Sequence, residues 1–579
     1  MMSMMMHMPR SGPIDYASMS NKVPDFPTDA HLTENKEERE FGSLTSKEWL
    51  CVSKHTPGRP LPKPVVDEPP YYILIATYLS FLILIIIGHI KDFFGRIFMP
   101  KQFEPLMEKN GYAPWYSRLE SFYTRRMKVR LDDCFARKTH GAPGRYVTCY
   151  NRFSPDYNHS FYYDGTTTDC LNLSSYNYLG FGQSSGICTD NAVEALEQRG
   201  VSACGPRLVI GTSDLHLKCE KVVAEFVGKE DAMVFAMGYG TNAFLFSSLV
   251  NSKCLVISDS LNHASTRFGV RLSGAAVKIF PHNDIKKLEK ILKDAIAQGQ
   301  PKTHRPWKKI LVAVEGLFSM EGDLCNLPEL VELRDKYKFY LFVDEAHSIG
   351  ALGPHGKGVC DYFDVDPSRV DLLMGTFTKS FGATGGYVAA NKDIIQYLRK
   401  DILTNAYGET PAPAVLEQII TSLGIINGDL NGNEGQERLQ RIAFNSRYLR
   451  LGLKRLGFIV YGADDSPVIP LLLYLPAKMP AISRMMYERN IAIVVTCYPA
   501  TDLLTARVRF CLSSSLMKED IDYILKACDD ISKILQIKYS SGMAGGERNP
   551  GDYKKGIKPR WSIEEVLEKT PYDCKGEMI

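Results

Sequence analysis

Between residues 145 and 425 short apolar runs alternate with amphipathic stretches, and this alternation admits few folds. The runs lie in DAMVFAMGYGTN (231–242), CLVISDSLNHAS (254–265), AVKIFPHND (276–284), KKILVAVEGLFSM (308–320), FYLFVDEAHS (339–348) and VDLLMGTFTKS (370–380). Helical periodicity over 285–297 and 327–337 fills gaps between them. Runs so continuous in Val, Ile, Leu and Phe are strands covered on both faces, which predicts an α/β protein with a mostly parallel sheet between helices. A smaller α/β unit is expected over 426–538. Its parts are helix 436–456, VIPLLLYL (468–475), helix 479–489, IAIVVTCYP (491–499) and ARVRFCLS (506–513).

An open sheet of this kind binds ligands outside the carboxyl ends of its strands. Asp344 stands at such an end, and Lys379 follows another among Gly375, Thr376, Thr378, Ser380, Gly382, Gly385 and Gly386. Small and hydroxyl-bearing neighbours leave room for a large phosphorylated ligand. A lysine amine attacks a carbonyl only as the free base, so its pKa must be lowered by desolvation or a nearby cation. An acid that keeps a pyridinium nitrogen protonated makes the ring an electron sink. Together these residues point to pyridoxal 5′-phosphate (PLP). MGYGTN at 237–242 offers the Gly238 and Tyr239 amides to a phosphate at a helix N-terminus. His263 and His347 also follow strand ends, and Arg507 and Arg509 alternate along a late strand, where one can clamp a carboxylate in bidentate fashion.

Residues 71–90, YYILIATYLSFLILIIIGHI, carry no Asp, Glu, Lys or Arg. At ~1.5 Å per residue they match a ~30 Å hydrocarbon core, so a transmembrane helix is expected. The segment lies too far from the start for a cleavable signal peptide. Lys91, Arg96, Lys101, Arg125, Arg126, Lys128 and Arg130 follow it and Lys54, Arg59 and Lys63 precede it, a bias that favours a cytosolic main domain. Residues 1–70 lack apolar periodicity and are expected to be disordered. Residues 91–144 form a juxtamembrane amphipathic and basic region with Phe103, Leu106, Met107, Trp115, Leu119, Phe122 and Tyr123, and 539–579 a flexible tail. A net charge of +3 over 579 residues gives no nucleic-acid footprint. The 14 cysteines show no zinc-site spacing, so no metal is expected and a reducing compartment is.

NYLGF (177–181), GPRLVIGTSDLH (205–216), LNHAS, EGLFSMEGD (315–323), DEAHSIGALGPHGKG and GTFTKSFGATGG occur in the order found in the α-oxoamine synthases. Over roughly 145–535 the chain resembles that family of PLP enzymes of the aspartate-aminotransferase fold type (fold type I). The resemblance implies a 145–425 PLP-binding large domain. It implies Lys379 as Schiff-base lysine and acid/base, Asp344 as ring-nitrogen partner, His347 at the phenolic oxygen and His263 stacked on the ring. It further implies Thr376 with the Gly238 and Tyr239 amides at the phosphate, and Arg509 and Asn177 at the substrate carboxylate.

With its membrane segment, the chain is most similar to the family members that condense L-serine with a long-chain acyl-CoA at the endoplasmic reticulum. That implies a heterodimer with a homologous lysine-free subunit, and small activating and ORM-type regulatory membrane proteins as further partners. A soluble-type condensation of glycine or alanine with another acyl-CoA, or a non-catalytic scaffold, are the rival readings. The membrane segment argues against the first and Lys379 with Asp344 and His263 against the second. Two positions depart from the family pattern: Glu409 in YGETPAP stands where a hydroxyl residue is usual, and Leu516 in LSSSLMKED where a His is usual.

Overall fold

The computed structural model describes residues 36–56, 68–114, 117, 121–540 and 560–574. Trp115, Leu119, Arg59, Lys63 and the first 35 residues lie outside them. By internal contacts the chain forms two compact units, one containing residues 83–140 and 148–169, the other residues 36–82, 141–147 and 170–579.

The larger unit is built on seven strands: β1 (Asp231–Phe235), β2 (Leu255–Asp259), β3 (Ala276–Phe280), β4 (Ile310–Glu315), β5 (Tyr340–Asp344), β6 (Leu372–Thr376) and β7 (Gly386–Ala390). Their spatial order is β1-β7-β6-β5-β4-β2-β3. Neighbours from β3 to β6 pair in parallel, and β7 runs antiparallel to both β6 and β1. Each of the six apolar runs forms one strand. Alternate residues of a strand enter opposite cores: Val312 and Val314 join one apolar cluster, Leu311 and Ala313 another. This two-sided burial explains why the runs are continuous rather than alternating. β7 was not foreseen as a strand. Its reversal depends on Gly385, at φ +97°, where a Cβ would come 2.2 Å from the Phe235 carbonyl oxygen.

The expected small unit is present, with antiparallel strands β8 (Val468–Leu472), β9 (Val494–Thr496) and β10 (Arg507–Cys511) in the order β8-β10-β9. Helices Glu434–Leu456, Lys478–Tyr487 and Lys518–Leu535 accompany them. IAIVVTCYP, expected as one strand, divides: Ile491–Ala492 pairs in parallel with Leu171 and Asn172, and only Val494–Thr496 joins β10.

Described parts of two segments expected to be loose, residues 36–56 and 560–574, make specific contacts. In the arm, the Glu40 carboxylate accepts hydrogen bonds from the Ser184 backbone N–H (2.8 Å) and hydroxyl (2.5 Å), and its carbonyl accepts one from the Arg145 N–H at 2.8 Å. Phe41 lies under the guanidinium groups of Arg438 (4.2 Å) and Arg441 (4.8 Å). Arg441 donates to the Gly42 carbonyl, Arg447 to that of Val52, and Trp49 packs against Phe444. In the tail, Ser562 and Glu565 cap helix Ile563–Asp573 reciprocally. Arg455, 3% exposed, donates to Asp573 (2.6 Å) and Thr570 (3.0 Å) and lies 4.0 Å from the Trp561 ring. These anchors are single residues without period, so an apolar-pattern reading passes over them.

The apolar segment is helical as expected but runs on to Phe98, as helix Tyr71–Phe98. In the smaller unit its last turns receive the chain that follows. Asp92 pairs with Arg125 (3.0 Å) and Arg126 (2.6 Å), and His89 stacks on Phe122 at 4.4 Å. Gly88 and Gly95 make room for Phe122 and Phe103, whose ring atoms come within 2.7 and 2.5 Å of where a Cβ would stand.

Candidate active site

The candidate residues converge in the larger unit because each follows the carboxyl end of a sheet strand: Gly238 after β1, His263 after β2, Asp344 at the end of β5, and Lys379 three residues beyond β6. Asp344 is buried, and both of its oxygens are engaged. Oδ1 accepts the Ala346 N–H at 2.9 Å and Oδ2 the Asn242 side-chain amide at 2.7 Å.

The Lys379 ammonium donates to the Thr376 hydroxyl at 3.3 Å and lies 5.9 Å from the centre of the Tyr176 ring. Desolvation lowers its pKa to about 8, assisted by the Arg509 charge and opposed by Asp344 and Glu315. At pH 7 a pKa of about 8 leaves roughly 10% of the amine unprotonated, some hundreds of times more than an ordinary lysine.

His347 is buried with Nδ1 2.7 Å from the Tyr178 hydroxyl, and burial pushes its pKa well down, with Lys379 and Arg509 adding to the effect. It is therefore neutral, with Nε2 as the nitrogen left for a ligand. His263 caps the helix Ala264–Ser273, its Nδ1 accepting the Ser265 N–H at 3.2 Å. That contact places the ring proton on Nε2. Desolvation lowers the His263 pKa, with Asp344 opposing and Lys379 reinforcing the shift. Its backbone N–H donates to Glu315, a buried carboxyl whose pKa is raised far above the carboxylate range by burial first and then by Asp344.

Helix Gly238–Leu249 opens without a side-chain cap, so its first amides point outward beside Thr376. A Cβ on Gly238 would lie 2.8 Å from the Thr376 methyl group and 3.1 Å from the Gly385 carbonyl oxygen. Only glycine lets this helix start so close to the lysine turn. Arg509, on β10, donates to the Tyr176 hydroxyl and to the Ser319 carbonyl at 3.4 Å, and its Nε has no hydrogen-bond partner despite burial. A buried guanidinium with an N–H to spare is able to take a carboxylate. Arg507, by contrast, is spent on the Met320 and Thr505 carbonyls.

Asn177 is engaged by the backbone around it. Its side-chain amide donates to the Pro143 carbonyl and accepts the Gly182 N–H, both at 3.0 Å, so it shapes the loop beneath the site. The departures separate too. Leu516 is fully buried, with its carbonyl held by Arg441 and Asn445, and belongs to the core. Glu409 is exposed. Asn242, Tyr176, Tyr178 and Glu315 were not singled out, although all lie in quoted motifs or beside them. Their roles depend on contacts across the fold that spacing does not encode.

The chain matches the Aminotransferase class I and II family over residues 168–528. It is 60% identical over 559 residues to Serine palmitoyltransferase 2 of Kluyveromyces lactis, covering 96% of this chain and 98% of that protein. It is 58% identical over 542 residues to Serine palmitoyltransferase 2 of Saccharomyces cerevisiae, covering 94% and 95%. Among solved structures, Serine palmitoyltransferase of Sphingomonas wittichii is similar with a TM-score of 0.59 at 28% identity, over 65% of this chain and 90% of that one. A structure described as SPT with PLP internal aldimine aligns with a TM-score of 0.63 at 27% identity, over 73% of this chain and all of the other.

Proposed function

The chain belongs to the aminotransferase class I and II family and is a PLP-dependent serine palmitoyltransferase of the subunit 2 type; from that premise we propose how its own residues divide the work. The reaction condenses L-serine with palmitoyl-CoA and releases CoA and CO₂ to give 3-ketosphinganine, a first step of sphingolipid synthesis.

The residues fit PLP: a lysine of lowered pKa, a buried acid held by two donors, an uncapped helix start and a buried arginine stand together at the carboxyl ends of the strands. When bound, PLP supplies an electron sink for the serine Cα. Lys379 holds the cofactor covalently through Nζ and then carries the Cα proton, a role for which a pKa near neutrality is suited. Asp344, oriented by Asn242 and Ala346, keeps the ring nitrogen protonated. The Gly238 and Tyr239 amides with the Thr376 hydroxyl would hold the phosphate, and His347 would hydrogen-bond the ring's phenolic oxygen. His263 covers the ring face. Arg509 takes the serine carboxylate, and Tyr176, which touches both Arg509 and Lys379, sits between binding and proton transfer. Asn177 supports the carboxylate site from beneath. The observation that carries this reading is the convergence of Lys379, the Asp344–His347 turn and Arg509 from three separate stretches of the chain.

Attachment to the endoplasmic reticulum membrane with the catalytic part in the cytosol follows from the apolar helix and its basic flank, and suits a lipid product. A homologous lysine-free companion, with small activating and ORM-type membrane proteins, completes the proposed assembly. Val209 and Ile210, in the loop after GPRL, and Tyr407 are 79%, 78% and 84% exposed, as a surface awaiting a second chain is. Serine-dependent CoA release should be weak from the chain expressed alone and strong on co-expression. Full activity from the chain alone would refute the companion.

A further inference from the structure

The turn that delivers His263 to the site is built on a buried acid. β2 ends at Asp259, 2% exposed, and the chain passes through Ser260, Leu261 and Asn262 before it reaches His263. The Asp259 carboxylate accepts the Leu261 N–H at 2.9 Å from within the turn and the Asn283 N–H at 3.1 Å from the loop after β3. His282, beside Asn283, completes its coordination, with Nδ1 3.1 Å from one carboxylate oxygen and 3.2 Å from the other. The Asn262 amide donates to the Ser258 hydroxyl and the Ala313 carbonyl, both at 2.8 Å, and at the far end of the turn Glu315 takes the His263 N–H.

His282 is itself held in place. Its ring meets that of Phe318 edge-on with centroids 4.4 Å apart, and its Nε2 faces Asp323 at 3.8 Å. The Asn283 amide donates to the Leu324 carbonyl at 2.8 Å, which ties this loop to the one that follows β4. That second loop carries Ser319 and Met320, whose carbonyls accept Arg509 at 3.4 Å and Arg507 at 2.8 Å, and Arg507 pairs with Glu321 at 3.5 Å. His282 therefore stands between the turn that ends in His263 and the loop that backs Arg509.

The charges that face His282 are Asp259 from β2 and Glu321 and Asp323 from the loop after β4, and these last two are met in turn by Arg507 on β10 and by Arg450 and Lys454. Burial alone would lower the His282 pKa, but the Asp259 hydrogen bond and the three carboxylates outweigh it and raise the pKa. Among the described residues His282 is the one basic side chain that pairs with Asp259. An apolar side chain at 282 would leave a carboxylate buried without its partner at the foot of the turn, and the turn would have to open to let water reach it.

We propose that His282 is a positioning residue: through Asp259 it fixes the turn from Asp259 to His263 and so sets the His263 ring against the cofactor. This rests on the reading that His263 covers the ring face. His282 acts on the site only through that ring.

The test is a double-mutant cycle on the full chain, read first as PLP affinity, by absorbance titration of cofactor-depleted protein, and then as serine-dependent kcat. His282→Leu should weaken PLP binding about 10-fold and lower kcat about 10- to 100-fold, with KM for L-serine within about threefold of the parent. His282→Asn, whose amide keeps an N–H at the place of Nδ1, should recover both to within about fivefold. In a His263→Ala background, His282→Leu should add less than about twofold to either loss, because the pathway it acts through is already gone. Losses that multiply in the double variant, a His282→Leu protein that matches the parent, or a His282→Asn protein no better than His282→Leu would overturn the proposal. Should His282→Leu not fold, Asp259→Asn replaces it in the cycle with the same expectation, since it keeps the shape of the acid and removes its charge. A His263→Ala protein that matches the parent in PLP affinity and kcat overturns the stacking role and the proposal with it, whereas a failed cycle on an impaired His263→Ala protein overturns the proposal alone.

Discussion

Asn242→Ala should damage turnover without displacing the substrate. The Asn242 amide is the donor on Asp344 Oδ2 at 2.7 Å and also reaches the Ser265 hydroxyl at 3.1 Å, while Oδ1 keeps the Ala346 N–H. A hydrogen bond to a charged group contributes about 1.5–3 kcal/mol, and here its loss falls on the carboxylate that must hold the ring proton. At 1.36 kcal/mol per factor of ten, kcat should fall roughly 10- to 150-fold. Asn242 makes no contact with Arg509, so KM for L-serine should stay within about threefold, an interaction lost mainly at the reacting centre rather than in binding. CoA release at saturating PLP and serine, with KM from a serine titration, measures both. A kcat within about twofold of the parent would refute the reasoning that Asp344 depends on its donors.

Tyr178→Phe strips the partner from His347 Nδ1 at a fully buried position, and the unsatisfied nitrogen should cost about 1–3 kcal/mol, seen as a lower Tm and weakened PLP retention on dialysis. In cofactor-depleted protein, the rate of PLP uptake should rise with pH up to about 8 and level off above it, because the free amine of Lys379 is the attacking form; stopped-flow absorbance that kept rising towards pH 10 would contradict the lowered pKa. Arg145→Ala should destabilise by about 3–5 kcal/mol, since it leaves Asp520 buried without its partner, and a Tm close to the parent's would show that pair to be dispensable. Truncation after residue 559 should lower Tm by removing Thr570, Asp573 and Trp561 from the buried Arg455.

The large sheet was legible because burial on both faces writes continuous apolar runs, and because ligand-bearing residues follow strand ends by topology rather than by accident. Lys379, Asp344, His263 and His347 were therefore singled out by their positions after strand ends, with their proposed roles drawn from the family resemblance. What sequence did not disclose are the residues that hold them. Asn242 is one turn into a helix and touches Asp344 across 102 positions, and Tyr178 reaches His347 across 169. Nor does spacing disclose that the Asn177 amide closes a loop on Pro143 and Gly182. The contacts of residues 36–56 and 560–574 were not foreseen for a different reason. Each is held by a few buried charges, caps and aromatic contacts, and such anchors leave no periodic trace. The apolar run read as a membrane helix because length and composition are visible in sequence, whereas its extension to Phe98 appears only once the chain is folded.

The most direct test of the central claim is to treat the purified protein with borohydride in the presence of PLP and map the modified peptide by mass spectrometry. The account predicts a single phosphopyridoxyl group on Lys379 in the parent and none in Lys379→Ala, with the visible cofactor band lost in the variant. A modification on any other lysine, or an unchanged band in Lys379→Ala, would contradict it.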